Sequence, residues 1–429
     1  MFKISRKIIL AGAVGNALEM YDFAICGLFA LYLAQTFLPA GSNLSDIFLL
    51  FFITYFFRPI GSLLFGAFAD QLGRKIILKI CIFLMGIATI ALGMLPSYQQ
   101  IGVAAVFLLF FIRILQVLSV SGEYVSSVSL LIESCALQQR GYFGSWAAFG
   151  VNFGMLVASL TGSVLIYLMD QHLLPMWGWR LAFLLAFFTM VVGFWIRSSI
   201  PESWDFINAN AISDKKPLFT IFLEGLEFIK ANPVKALTVF ALVWLGTSIT
   251  VLIFIYAPNH MTTINTLNRL QALTVNSSSL LLLVTLIPIF GIISDKLGRI
   301  VTIASSILAL LILVFPYCLI ISSGKFYLIF IAHLIVAVPC ACIFSVTPVL
   351  IAELVPITIR CATIGAIYSI AVILGGGITP LLALKFSKFA YLLSLLLLIP
   401  GVVSLFLLNS LKFKKTHLSL IKKLNELQL

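Results

Sequence analysis

Charged residues are scarce in this sequence. Asp, Glu, Lys and Arg make up only 10% of its 429 residues, and acids are the rarest, with 15 Asp and Glu against 27 Lys and Arg. A water-soluble globule carries about 25% charged residues. The chain therefore lacks the polar side chains to cover a soluble surface, which excludes a soluble domain.

Paired metal-binding and phosphate-binding motifs are also missing. The seven cysteines lie in or beside apolar stretches and form no Cys-x-x-Cys pair, so we expect small buried thiols, with no disulfide framework and no metal site. The sequence contains no P-loop and no His-Glu-x-x-His pair. These absences argue against a cofactor, an ATP-driven pump and a membrane-embedded enzyme.

Long apolar runs dominate what is present. Hydrophobic residues make up 62% of the chain, and about 20 apolar residues suffice for one bilayer crossing. The start, with Lys3, Arg6 and Lys7, resembles a signal peptide, but Glu19 and Asp22 interrupt its apolar run. We therefore predict an all-α integral membrane protein with twelve segments near 8–36, 47–69, 76–95, 101–130, 142–168, 180–198, 236–258, 272–293, 300–321, 326–350, 361–384 and 389–410.

Basic residues lie in short loops between these segments. This pattern indicates membrane topology and argues against a nucleic-acid partner. One side of the membrane receives most of the cations, including Arg197, and the other receives only Arg180, Arg269, Lys325, Lys385 and Lys388. This bias predicts that both termini are cytoplasmic. A polar stretch with three prolines predicts a first six-helix bundle at 1–198, a linker at 199–235, a second bundle at 236–411 and a tail at 412–429.

Two motifs recur in the second half. Residues 66–74, Gly-Ala-Phe-Ala-Asp-Gln-Leu-Gly-Arg, return as Gly-Ile-Ile-Ser-Asp-Lys-Leu-Gly-Arg at 291–299, and a Glu-x6-Arg pair occurs after segments 4 and 10. Because six segments separate the copies, the halves are predicted to be parallel repeats. The acid of the loop motif could accept hydrogen bonds from the next helix start and pair with an arginine across the halves; the simpler interpretation is a capped turn. The candidate gating residues are Gly66, Asp70, Gly73, Arg74, Glu133, Arg140, Asp295, Gly298, Arg299, Glu353 and Arg360.

These motifs resemble those of the major facilitator superfamily, and more narrowly its metabolite:proton symporter branch, which includes proline/betaine and dicarboxylate symporters. The narrower resemblance rests on residues 15–23, 58–61, 113–116, 122–124, 141–146, 177–180 and 201–203. It implies alternating access between two bundles in a bacterial inner membrane. The chain departs from the branch at Val117 and Ser121, where glycine is usual, so segment 4 is expected to pack less tightly.

Ionisable residues inside the segments are functional candidates because burying a charge in lipid costs a few kcal/mol or more. Helical rise places Glu19, Asp22, Arg58 and Arg113 near the bilayer midplane. Three acids face two bases there, so one carboxylate is left to carry a proton, whereas an arginine suits a substrate carboxylate. Static buried ion pairs are the alternative. The candidates are Glu19, Asp22 and Glu123 for proton coupling, and Asn16, Arg58, Arg113, Gln116 and Tyr124 for substrate binding.

The second half offers no mid-depth acid or base. Tyr256, Asn276 and Tyr368 could line the substrate site, and His333 is expected to be a packing residue. Residues 375–377, three successive glycines, would permit bending or close helix packing.

The leading hypothesis is a proton-coupled symporter of a small carboxylate-bearing solute. A zwitterion such as proline or betaine is favoured because the acids outnumber the bases; a dicarboxylate of the 2-oxoglutarate type and a passive facilitator remain alternatives. The expected partners are the solute, the proton and the lipid bilayer, and a monomer is expected.

Overall fold

The computed structural model describes residues 6–199, 218–263 and 267–426, with the backbone alone at 6–8, 10–11, 70, 74, 122, 218–219, 263 and 412–426. This described part is helical throughout and contains no β-strand. Its main helices are α1 (Arg6–Leu28, continued by Ala30–Phe37), α2 (Leu44–Tyr55 and Arg58–Leu72), α3 (Arg74–Met94), α4 (Val103–Glu133), α5 (Arg140–Asp170), α6 (Ala186–Ser198), α7 (Pro233–Ile249, Thr250–Tyr256 and Ala257–Thr263), α8 (Arg269–Leu297), α9 (Arg299–Ile320), α10 (Phe326–Leu354), α11 (Arg360–Val372, Ile373–Ile378 and Thr379–Lys385) and α12 (Ala390–Glu426).

These helices confirm the predicted fold class. Eleven spans in the described residues are long and apolar enough to cross a membrane, and the bent α1 makes twelve. The bundle α1–α6 packs within itself, as does α7–α12, and the two meet where α5 lies against α8 and α10 and where α2 lies against α11.

Equivalent glycines of the repeat bring the bundles together. A Cβ at Gly66 of α2 would lie 3.1 Å from the Cα of Ala362 in α11, and one at Gly291 of α8 would lie 2.8 Å from the carbonyl oxygen of Gly141 in α5. Small residues allow such close helix approach in membranes. The two loop motifs thus occupy corresponding places, as the repeat predicts.

The motif loops turn at glycine. Gly73 joins α2 to α3 with φ 111°, and Gly298 joins α8 to α9 with φ 91°; other residues rarely adopt such values. We call this end of the molecule the motif side. The opposite end, with the turns at Gly102 and Gly324, is the far side.

Two helices are broken where they approach the interface. α1 bends by 63° between Leu28 and Ala30. In α2, Pro59 stands in the first turn of the second piece, and because proline has no N–H the helix does not run through this position unbroken. The break places Arg58 at the start of that piece.

The glycine run of α11 packs closely on α7. A Cβ at Gly375 would lie 2.8 Å from the carbonyl oxygen of Trp244. Residues 373–378 and 250–256 both form π-helical turns and contact each other. Such turns occur often at functional sites.

The expected loosening of α4 does not occur. A Cβ at Gly61 of α2 would lie 2.8 Å from the carbonyl oxygen of Leu118, and the Ser121 hydroxyl donates to that same oxygen at 2.6 Å. Close contact is therefore kept because the glycine stands on α2, opposite Ser121.

A linker helix, Leu218–Ala231, packs against both α2 and α11. A Cβ at Gly225 would lie 2.8 Å from the Thr363 hydroxyl oxygen. The rest of the predicted linker, 200–217, lies outside the described residues, as do the side chains of the predicted tail.

Candidate functional site

A cavity separates the two bundles at mid-depth. It lies between α1, α2, α4 and α5 on one side and α7, α10 and α11 on the other. We call it the central cavity. Its polar and aromatic lining consists of Asn16, Glu19, Phe23, Tyr55, Arg58, Tyr124, Asn152, Thr247, Thr250, Phe344, Thr347 and Tyr368.

Glu19 and Arg58 are the charged residues of this lining. Each is 5% exposed, and neither forms an ion pair within the described part of the chain. Oε1 of Glu19 and Nε of Arg58 have no hydrogen-bond partner there. An acid and a base are thus both available to a ligand, and the alternative of a static buried ion pair does not describe either residue.

Aromatic rings surround these charges. The Arg58 guanidinium lies 5.3 Å from the centroid of the Tyr368 ring, and the rings of Tyr124 and Tyr368 are 5.7 Å apart. The Phe23 and Tyr55 centroids lie 6.3 Å apart. Aromatic faces attract organic cations, so the lining suits a ligand that carries both charges.

Asn16 and Asp22 flank Glu19 on α1. Asn16 donates to the carbonyl oxygen of Ala147 at 3.2 Å, and its own Oδ1 has no partner in the described residues. Asp22 lies outside the cavity lining, where its carboxylate accepts hydrogen bonds of 3.3 and 3.4 Å from the Thr189 hydroxyl of α6. Asn16 and Glu19 thus line the cavity, whereas Asp22, three residues further along α1, contacts a neighbouring helix.

Arg113 and Gln116 do not line the central cavity. Arg113 lies two helical turns further towards the far side than Val120, which does line it. Its Nη1 donates to Oε1 of Gln116 at 2.7 Å, and Gln116 donates to the Thr89 hydroxyl at 2.9 Å. Helical phase alone could not reveal this difference in height.

Glu123 pairs with a residue that the sequence pattern assigned to a loop. Its Oε1 forms an ion pair with Nη2 of Arg197, and both side chains are buried, at 0% and 1% exposed. Arg197 also donates to the carbonyl oxygen of Leu78 at 2.6 Å, and it occupies the space that a side chain at Gly15 would fill. The expectation that Arg197 is a loop cation was wrong, because its guanidinium lies inside the bundle. The count of three buried acids against two buried bases therefore left out one base.

On the motif side, Asp295 joins the bundles. Its two carboxylate oxygens accept hydrogen bonds from the backbone N–H groups of Gly141 and Tyr142 at 2.9 and 2.8 Å, which caps the start of α5. Arg299 donates to the same carboxylate at 2.7 Å and lies 3.5 Å from Glu353. The acid therefore caps a helix of the other bundle, whereas the motif predicted the next helix of its own.

Glu133 and Arg360 form a second link there, at 2.7 Å and almost fully buried. Each comes from one copy of the Glu-x6-Arg pair. Nε of Arg140 has no hydrogen-bond partner in the described residues. The side chains of Asp70 and Arg74 lie outside the described residues.

Other predicted polar residues of the second half lie elsewhere. Tyr368 lines the central cavity, but Tyr256 donates to the carbonyl oxygen of Ala383 at 2.9 Å, and Asn276 donates to Ser159 of α5 at 3.3 Å. Sequence reasoning missed Thr247 and Thr250 of the lining, although their spacing of three on an apolar helix was a usable signal. The described residues contain no cluster of three or more His, Cys, Asp or Glu that could hold a metal ion.

Known transporters are similar to this chain in sequence. The sequence is 28% identical to the glycine betaine/proline/ectoine/pipecolic acid transporter of Dickeya dadantii, over 96% of this chain and 83% of that protein. It is 27% identical to the proline/betaine transporter of Salmonella typhimurium, over 88% and 77%, and 30% identical to the citrate-proton symporter of Salmonella typhi, over 68% and 66%.

Solved structures have the same fold. The xylose transporter from E. coli, in a partially occluded inward-open conformation, superposes with a TM-score of 0.70 over 94% of this chain and 95% of that one, at 19% identity. The sequence model of the Major Facilitator Superfamily matches residues 12–338. With two six-helix bundles, a central cavity and this match over most of its length, the chain belongs to the Major Facilitator Superfamily.

Proposed function

We propose that this protein is a proton-coupled symporter of a small zwitterion of the proline or betaine class. The observation that carries the proposal is the pair Glu19 and Arg58, an acid and a base without ion-pair partners in one aromatic cavity. The names of the Dickeya and Salmonella typhimurium relatives support the same solute class.

Arg58 binds the solute carboxylate in this proposal. A guanidinium holds a carboxylate through two parallel hydrogen bonds, and the cavity offers one such group. The cationic end of the solute lies against Tyr124 and Tyr368, and Asn16 supplies an amide oxygen. A dicarboxylate would need a second base, so the single guanidinium favours a monocarboxylate over the citrate handled by the Salmonella typhi relative.

Glu19 is the proton carrier of this scheme. It lines the same cavity as Arg58, and its Oε1 has no hydrogen-bond partner among the described residues. Protonation removes the negative charge of Glu19 from the cavity, which favours binding of the solute carboxylate to Arg58, and the two ligands are thereby coupled. Asp22 is hydrogen-bonded to Thr189, and Glu123 is paired with Arg197. Both acids are supporting residues next to Glu19 in this scheme and not the proton carrier.

Alternating access supplies the transport step. Two contacts close the motif side: the hydrogen bond that Asp295 accepts at the start of α5, and the ion pair of Glu133 with Arg360. These polar contacts can break and re-form as the bundles rock. Gly66, Gly73, Gly298, Arg299 and Glu353 belong to the same closure. By the repeat we assign Asp70, Arg74 and Arg140 to it as well.

The proposal also covers topology. We place the protein in a bacterial inner membrane with the motif side and both termini in the cytoplasm, and we assign the bundles to 1–198 and 236–411, the linker to 199–235 and the tail to 412–429. Lys and Arg counts on the two sides support this orientation.

Uptake into proteoliposomes tests the function. We expect labelled proline or glycine betaine to accumulate under an inward proton gradient, with 2-oxoglutarate transported far more slowly. Arg58→Gln should lower kcat/KM by about 100-fold, while the exposed Lys388→Gln should have no effect. Preference for 2-oxoglutarate would favour an organic acid symporter, and uptake that is indifferent to the gradient would identify a passive facilitator.

A further inference from the structure

A second, smaller cavity adjoins the central one on its far side. It lies between α1, α2, α4, α7 and α11, and Arg113 is the charged residue of its lining within the described part of the chain. We call it the Arg113 pocket. It lies along the interface of the two bundles, with lining residues from both.

Arg113 has unused binding capacity. It is 1% exposed, its Nε has no hydrogen-bond partner, and it forms no ion pair with any described residue. Its guanidinium carbon lies 4.2 Å from the Phe51 ring centroid and 5.0 Å from that of Phe23. A buried guanidinium with a free N–H edge and no acid in its pocket is a site for a carboxylate.

The two cavities share a wall. Phe23 and Tyr55 line both of them, with ring centroids 6.3 Å apart. On the other bundle, Gly377 leaves room for the α2 rings, because a Cβ there would lie 2.7 Å from Cδ2 of Phe52 and 3.3 Å from Cδ2 of Tyr55. The glycine run thus receives the rings that form the wall.

We infer that the Arg113 pocket is a separate binding station for the solute carboxylate, occupied before the solute passes the Phe23–Tyr55 wall and reaches Arg58. This inference rests on the proposed function, because it takes the same carboxylate-bearing solute as ligand. The station holds the carboxylate on Arg113 and the cationic end against Phe48, Phe51 and Phe52.

The station changes rates and not the final affinity. A station that lowers the barrier on the route speeds arrival and departure alike, so the equilibrium constant of the central cavity is unchanged. A residue of the central site alters that constant, and a residue with a purely structural role alters folding. These three roles can therefore be separated by experiment.

Glycine betaine and choline are the probes, since choline lacks the carboxylate. For Arg113→Gln we expect kcat/KM for glycine betaine uptake to fall at least 10-fold, while the equilibrium Kd of the purified full chain stays within about 3-fold of wild type. Arg113→Lys, which keeps the charge, should be intermediate. Any choline binding should be unaffected, and Lys388→Gln serves as the control.

Unchanged uptake by Arg113→Gln would overturn the inference. So would loss of glycine betaine binding in both Arg113 variants, because Arg113 would then belong to the central site or to the folded structure. Absence of uptake by the wild-type protein would instead contradict the proposed function, so the two failures are distinguishable.

Discussion

Glu133 of α4 and Arg360 of α11 form a buried ion pair of 2.7 Å that joins the two bundles on the motif side. Each residue belongs to one copy of the same repeated motif, and they pair with each other and not with the arginine or glutamate of their own copy. The repeat thus supplies an acid from one bundle and a base from the other, and together they form a single contact.

We predict that Glu133→Gln opens the motif side. The change leaves Arg360 buried without its counter-charge, which costs about 3–5 kcal/mol in such settings. Labelling of a cysteine introduced at Thr347 in the central cavity, by a water-soluble maleimide added from the motif side, should become at least 10-fold faster. The matched control is Glu227→Gln, because Glu227 is exposed and belongs to neither repeated motif. Equal labelling rates in the two variants would contradict the gating role.

The buried pair of Glu123 and Arg197 should behave as one unit in stability. Either Glu123→Gln or Arg197→Gln leaves a lone buried charge, with a loss of about 3–5 kcal/mol. The double variant should be less destabilised than the sum of the two, as a thermal-unfolding cycle in detergent would measure. Simple additivity would show that the two residues do not interact.

The turn at Gly298 should tolerate no side chain. With φ at 91°, Gly298→Ala should cost about 1–2 kcal/mol and lower the melting temperature. Gly162→Ala is the control inside a helix, because its Cβ would lie 3.6 Å from Cε2 of Phe29, an ordinary contact; it should be neutral or stabilising by up to about 1 kcal/mol. Similar melting temperatures for both variants would refute the argument.

Sequence reasoning predicted the spans well because the bilayer imposes a length and a composition on each of them. Helical rise also placed Glu19, Asp22, Arg58 and Arg113 at one depth, and of these four Glu19 and Arg58 line the central cavity. Periodicity cannot say which neighbour a side chain meets. Arg197 looked like a loop cation because it stands at a helix end, and the space that receives it depends on Gly15, which resembles any other helix glycine.

The sequence also did not reveal which groups the motif acids contact. Asp295 was expected to cap the next helix, yet it caps α5, more than 150 residues earlier in the chain. That contact depends on how the repeats interlock in three dimensions. Arg113 shows the same limit, because its helix face was predictable but its height relative to the cavity was not.

Proton movement in the Glu19→Gln variant tests the central claim most directly. The carboxamide mimics a protonated acid that cannot release its proton, so Glu19→Gln should still bind glycine betaine. In proteoliposomes, addition of glycine betaine should drive proton uptake by the wild type and by the exposed-acid control Glu227→Gln. The account predicts no proton uptake and no gradient-driven accumulation for Glu19→Gln. Proton-coupled accumulation by Glu19→Gln at the wild-type level would contradict it.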